Sequence, residues 1–178
     1  MTFTYPQSLE INWALEEFSK RKDDLIKSFQ NIGRKYEDKL IEKGFNIAAF
    51  SVATQGTEEL LKVILYGYIT KAKILKIRKE ADPFDKVKMD DLEEETLGNL
   101  IKLLRIFIGG APLINQLWKF NNRRIEAIHR LFREEDLTKL EAEFGEYTQS
   151  KEVGDMSTNL IAELNKIDSQ IHNLAADK

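Results

Sequence analysis

Apolar residues recur along this chain three, four or seven positions apart, and nowhere do they alternate as in a half-buried strand. The first run is Ile11, Leu15, Phe18, Leu25, Phe29, Ile32, Tyr36 and Leu40, with charges between its members. It predicts one amphipathic helix of about ten turns, from Leu9 to about Lys43. Ser8 stands where a cap is wanted after the short lead-in that Pro6 ends. Gly33 inside this run costs about 1 kcal/mol against alanine. Lys43-Gly44 reads as the end, with lysine at the negative pole and a glycine free to turn left-handed.

A second helix is predicted from about Asn46 to about Lys79. Ile47 to Thr57 is apolar or small nearly all round, and Leu60, Leu61, Val63, Ile64, Leu65, Tyr66, Tyr68 and Ile69 follow. A helix apolar on most faces belongs at the centre of a bundle. Gly56 and Gly67 either admit a close neighbour or bend the helix. The basic end, Lys71, Lys73, Lys76, Arg78 and Lys79, is either a phosphate-binding edge or, the plainer reading, a solvated terminus whose charge suits the dipole. Glu80 to Lys88, with Pro83, reads as a loop. Asp90 with Glu93 has the form of a capping box for a third helix, striped by Leu92, Leu97, Leu100, Ile101, Leu104 and Ile108.

Gly109-Gly110 ends that helix and Pro112 suits the first turn of the next, so the two should run antiparallel. The fourth helix is expected from Pro112 to about Arg133, with Ile114, Leu117, Trp118, Ile125, Ile128 and Phe132 as its buried stripe and Asn121 on it. Beyond Glu135, Leu137, Leu140 and Phe144 mark a helix capped by Asp136. Gln149 to Gly154 reads as a break. A last helix, from Met156 to Leu174, is capped by Asp155 or Ser157 and packs on the bundle or on a second copy. The expected fold is thus an all-α antiparallel bundle of four to six helices in a single domain over residues 1–178. Its core spans about 9–133, and its C-terminal helices about 136–174.

Composition narrows the function classes. The 178 residues are 42% hydrophobic and 32% charged, as in a folded water-soluble domain. The 27 basic and 30 acidic residues leave a net charge of −3, so nucleic acid would need a local basic patch rather than a global field. With no cysteine, disulfides and thiolate metal sites are excluded. Neither a signal peptide at Met1 to Glu10 nor a stretch of the roughly 20 apolar residues that span a bilayer is evident, and a cytoplasmic location is expected. No phosphate-binding glycine loop, nucleophile elbow or His-Glu-x-x-His motif occurs.

Chemistry concentrates in Asn121 to Phe132. This stretch holds His129, one of two histidines, among Arg123, Arg124, Arg130 and Arg133. Glu126-x-x-His129 has the spacing used by di-iron bundles, but the chain holds no second such pair and only a symmetric dimer would supply one, so no metal and no cofactor are expected. Glu126 and Arg130 read as an i,i+4 ion pair. At about 100° per residue, Arg124 and His129 lie roughly 140° apart and flank the apolar stripe, where a helix meets a neighbour or a second subunit. Arginine can neutralise phosphate there and histidine can carry a proton near neutral pH. The plainer reading is a histidine capping a neighbour, with arginines covering the surface.

Phe120-Asn121-x-x-Arg124-x-x-x-x-His129 resembles the signature of the HEPN superfamily, the higher eukaryote and prokaryote nucleotide-binding helical domains. Their mark is an arginine, four to six residues, then a histidine on a late helix of an antiparallel bundle. Gly56-Thr57-Glu58-Glu59-Leu60-Leu61-Lys62 is similar to their central helix, and the likeness covers about Ile47 to Phe132 in order and helix count. The position after the arginine is usually asparagine, aspartate or histidine; here it is Ile125. With Arg123 as the motif arginine the spacing is five and the next residue is Arg124. The resemblance implies a homodimer and RNA as substrate, with Arg124 and His129 catalytic and Asn121, Arg123, Arg130 and Arg133 contacting substrate. It implies either a metal-independent endoribonuclease of the toxin kind, paired with a cognate antitoxin protein, or a non-catalytic binding or scaffolding module.

Overall fold

A computed structural model describes residues 5–28, 34–77, 92–133 and 136–176. The protein is all-α: seven helices and no strand are found among the described residues. They are α1 (Tyr5–Ser28), α2 (Arg34–Glu42), α3 (Asn46–Ile77), α4 (Leu97–Ile108), α5 (Pro112–Leu131), α6 (Leu137–Thr148) and α7 (Lys151–Ala176). The predicted long first helix corresponds to both α1 and α2, and its continuity through Gly33 lies outside the described residues. So do the Glu80 to Lys88 loop and Asp90. No helix among the described residues is long and apolar enough to cross a membrane.

The apolar circumference of α3 makes it the hub. It packs against each of the other six helices, and every residue from Val63 to Thr70 is buried. Thr54 and Thr57 are admitted to this helix because their hydroxyls donate one turn back, to the Phe50 and Ala53 carbonyls, both at 2.9 Å. Phe50 meets Phe120 of α5 at 5.2 Å and Phe144 and Tyr147 of α6 at 5.3 and 5.8 Å between ring centroids. Such pairs contribute about 0.5–1.5 kcal/mol each beyond their buried area. At Gly67 the chain resolves its two sequence readings in favour of close approach. A β-carbon there would lie 3.0 Å from Ile167 of α7 and 3.0 Å from Phe18 of α1.

Helix ends follow local chemistry in some places and tertiary contacts in others. Gly44, at φ 76°, closes α2: its N–H donates to the Ile41 carbonyl and that of Phe45 to the Leu40 carbonyl. Gly109 ends α4 at φ 67°, Pro112 opens α5, and the Asp136 carboxylate caps α6 by accepting from the Lys139 N–H at 3.2 Å. Three predicted starts are corrected. The first helix begins at Tyr5, placing Ser8 inside it. The last begins at Lys151, its Val153 N–H facing the Ser150 hydroxyl at 3.4 Å, so Ser150 rather than Asp155 or Ser157 is its cap. Helix α4 begins at Leu97, with Leu92 in a separate turn before it. Two starts are capped from a distance, since the Leu97 N–H donates to Glu58 of α3 at 3.2 Å and the Ile47 N–H to Glu141 of α6 at 2.9 Å. A carboxylate at a helix N-terminus satisfies an orphan donor and suits the dipole.

Candidate functional site at the end of α5

Helix α5 is amphipathic in two different ways along its length. Its first half buries Leu113, Ile114, Leu117, Phe120 and Asn121. The predicted stripe continues through Ile125, Ile128 and Phe132, but these are 44%, 46% and 86% exposed, and Leu131 is 41% exposed. The expectation that they are buried is therefore corrected. Helices α4 and α5 run antiparallel, with Gly98 at the start of α4 beside Asn121 and Trp118. Beyond Arg124, α5 has no length of α4 alongside, and Ala127 is the only residue buried from Arg124 to Leu131. Sequence periodicity correctly identifies the stripe but not how far its neighbour reaches.

Arg124 and His129 sit on opposite borders of this exposed strip, His129 exposed and Arg124 half-buried. Arg124 Nη1 lies 3.2 Å from Glu58 Oε1, the same oxygen that accepts from the Leu97 N–H. One carboxylate thus joins α3, α4 and α5. Asn121 is 4% exposed, its amide nitrogen facing Gly98. Arg123 and Arg130 point instead toward α6. Arg123 is 2.7 Å from Glu126 and 3.6 Å from Glu143; Arg130 is 3.5 Å from Glu126 and 2.8 Å from Glu143. The i,i+4 pair of Glu126 with Arg130 is present. This two-arginine, two-glutamate box fixes α6 against α5, each such surface pair contributing about 0–1 kcal/mol.

The hydrogen bond to Glu126 raises the already high pKa of Arg123, whose guanidinium also lies 5.5 Å from the centre of the Tyr147 ring. Burial, aided by Glu152, pushes the Tyr147 phenol up to about 12. Arg133 is exposed beyond the last turn, its N–H donating to the Arg130 carbonyl. Arg124 and His129 thus border the strip, while Arg123 and Arg130 are held on another side of the helix. Among the described residues no group of three or more histidine, aspartate or glutamate side chains is placed to hold a metal ion.

Two clefts lie elsewhere. One of about 260 Å³ is lined by Arg123, Glu143, Phe144, Glu146 and Tyr147. Another of about 300 Å³ lies between α1 and α3, where Arg21 stacks 4.6 Å over Tyr66 and bonds Glu93 at 3.1 Å. Neither includes Arg124 or His129. Sequence reasoning missed the part played by Glu58: it is an ordinary helix-surface glutamate until α4 and α5 fold against it. No family model matches the chain, and no curated protein or solved structure matches it.

Proposed function

We propose that this chain is an HEPN-like, RNA-directed protein acting as a homodimer, a metal-independent endoribonuclease with a composite site on α5. The observation that carries this reading is the exposed strip Ile125–Ile128–Phe132 with Arg124 on one border and His129 on the other. A second copy seated on that strip removes apolar surface from water and brings two Arg124/His129 pairs to one seam. The Arg124–Glu58 ion pair adds support, since it joins the two segments that carry the family resemblance.

At such a seam the RNA 2′-hydroxyl attacks the adjacent phosphorus and loses its proton to one His129. The bond to the 5′-oxygen breaks, and His129 of the second copy protonates that oxygen. Arg124 neutralises charge on the non-bridging oxygens. A nuclease of the toxin kind is held inactive in the cell by a cognate antitoxin protein, which completes this reading. A second reading is favoured by Ile125 and by the carboxylates already seated on Arg123, Arg124 and Arg130. It makes the protein a non-catalytic binding or scaffolding module.

One assay separates the two. Purified protein with EDTA should cut single-stranded RNA, leaving 2′,3′-cyclic phosphate or 3′-phosphate ends. His129→Ala should abolish cutting, and Arg124→Lys should lose much of it, because an ammonium does not reproduce the planar fork. An inactive wild type that gains activity with Ile125→Asn identifies a silenced nuclease. Absence of cutting by both, with no RNA bound at low salt, where phosphate contacts are strongest, leaves the scaffold reading.

A further inference from the structure

We infer that Glu58 is the positioning residue of the Arg124 site, holding the guanidinium in one orientation from α3 while it caps the start of α4. This rests on the proposed nuclease reading. The geometry is a shared oxygen: Glu58 Oε1 is 3.2 Å from Arg124 Nη1 and accepts the Leu97 N–H at 3.2 Å. Arg124 and Glu58 are both half-buried, so the pair is partly shielded from solvent and better held than an open surface pair. A guanidinium carries five donors in a rigid fork. With Nη1 turned to Glu58, the remaining edge of the fork is offered to an anion, and less rotamer freedom is lost when a phosphate binds. The cap on Leu97 holds Glu58 in turn, because moving the carboxylate would strand the first amide of α4. Glu58 also opposes the incoming phosphate by charge, so its two effects on substrate have opposite signs. It weakens ground-state binding and sharpens charge stabilisation where the reaction needs it.

Glu58→Gln tests this, since the amide oxygen still accepts from Leu97 and Arg124 while the charge is gone. On single-stranded RNA with EDTA, kcat should fall about tenfold while KM falls about two- to threefold. Glu58→Asp keeps the charge but is one methylene too short to reach both donors, so kcat should fall without a fall in KM. A purely structural role predicts a lower melting temperature with kcat and KM unmoved, and that result overturns the inference. The Arg124 Nη1–H resonance provides a second readout that needs no turnover. Its exchange with solvent should be faster in Glu58→Ala, which removes the acceptor, than in wild type, and equal exchange overturns the inference. A wild type that cuts no RNA but shows this difference defeats the nuclease reading while leaving the Glu58 hold on Arg124 standing.

Discussion

Gly67 sits at the tightest crossing of the bundle, where α1 and α7 both press on α3, and Gly67→Ala tests how closely that crossing is packed. The new β-carbon would lie 3.0 Å from Ile167 Cγ1, 3.0 Å from Phe18 Cε2 and 3.1 Å from Ile167 Cγ2, against an ordinary carbon–carbon contact of about 3.5–4.0 Å. Both neighbours are fully buried, so neither can swing into solvent to make room. Overpacking of this kind costs about 1–3 kcal/mol. Replacing glycine inside a helix returns about 1 kcal/mol of backbone entropy. The net expectation is destabilisation of about 1 kcal/mol, a fall in melting temperature of about 2–4 °C for a chain of this size. Calorimetry or thermal circular dichroism reads it directly. Ile167→Ala removes both clashing γ-carbons and alone should cost about 2–5 kcal/mol. In the Gly67→Ala background it should cost about 1 kcal/mol less, because it relieves the clash. A rise in melting temperature for Gly67→Ala, or strict additivity in the double variant, would show that the crossing is loose and refute the packing argument.

The exposed strip on α5 predicts a homodimer by sedimentation or light scattering at micromolar concentration, with Phe132→Glu shifting the population to monomer without unfolding it. A clean 20.6 kDa monomer of the wild type removes the composite site. The alkaline limb of stability should reflect Tyr147. Its folded pKa is raised to about 12 from 10, so its contribution is complete below pH 10 and is lost as pH rises from 10 to 12. Tyr66 and Tyr68 are raised too, burial being the first cause in each and bonding to Glu17 or Glu163 the second. Tyr147→Phe should flatten that limb in a pH series of denaturant melts, and an unchanged limb excludes Tyr147 as its source.

What the sequence determines by itself here is local. The apolar circumference of α3, the glycine that ends α2, the proline that opens α5 and the aspartate that caps α6 act over one helical turn or less, so their chemistry is legible in residue order. The stripe Ile114 to Phe132 is legible in the same way. Whether a stripe is buried depends on the length of the helix beside it, and α4 starts only at Leu97, level with Trp118 and Asn121. That is why Ile125, Ile128 and Phe132 are exposed although they share the periodicity of Leu117. The capping of α3 by Glu141 and of α4 by Glu58 is likewise invisible in residue order, because donor and acceptor lie on different helices. The same holds for Arg124, whose partner Glu58 is met only when α3 and α5 come together. Residue spacing governs what happens within a helix. Only tertiary packing decides which carboxylate reaches which donor and which apolar faces stay in water.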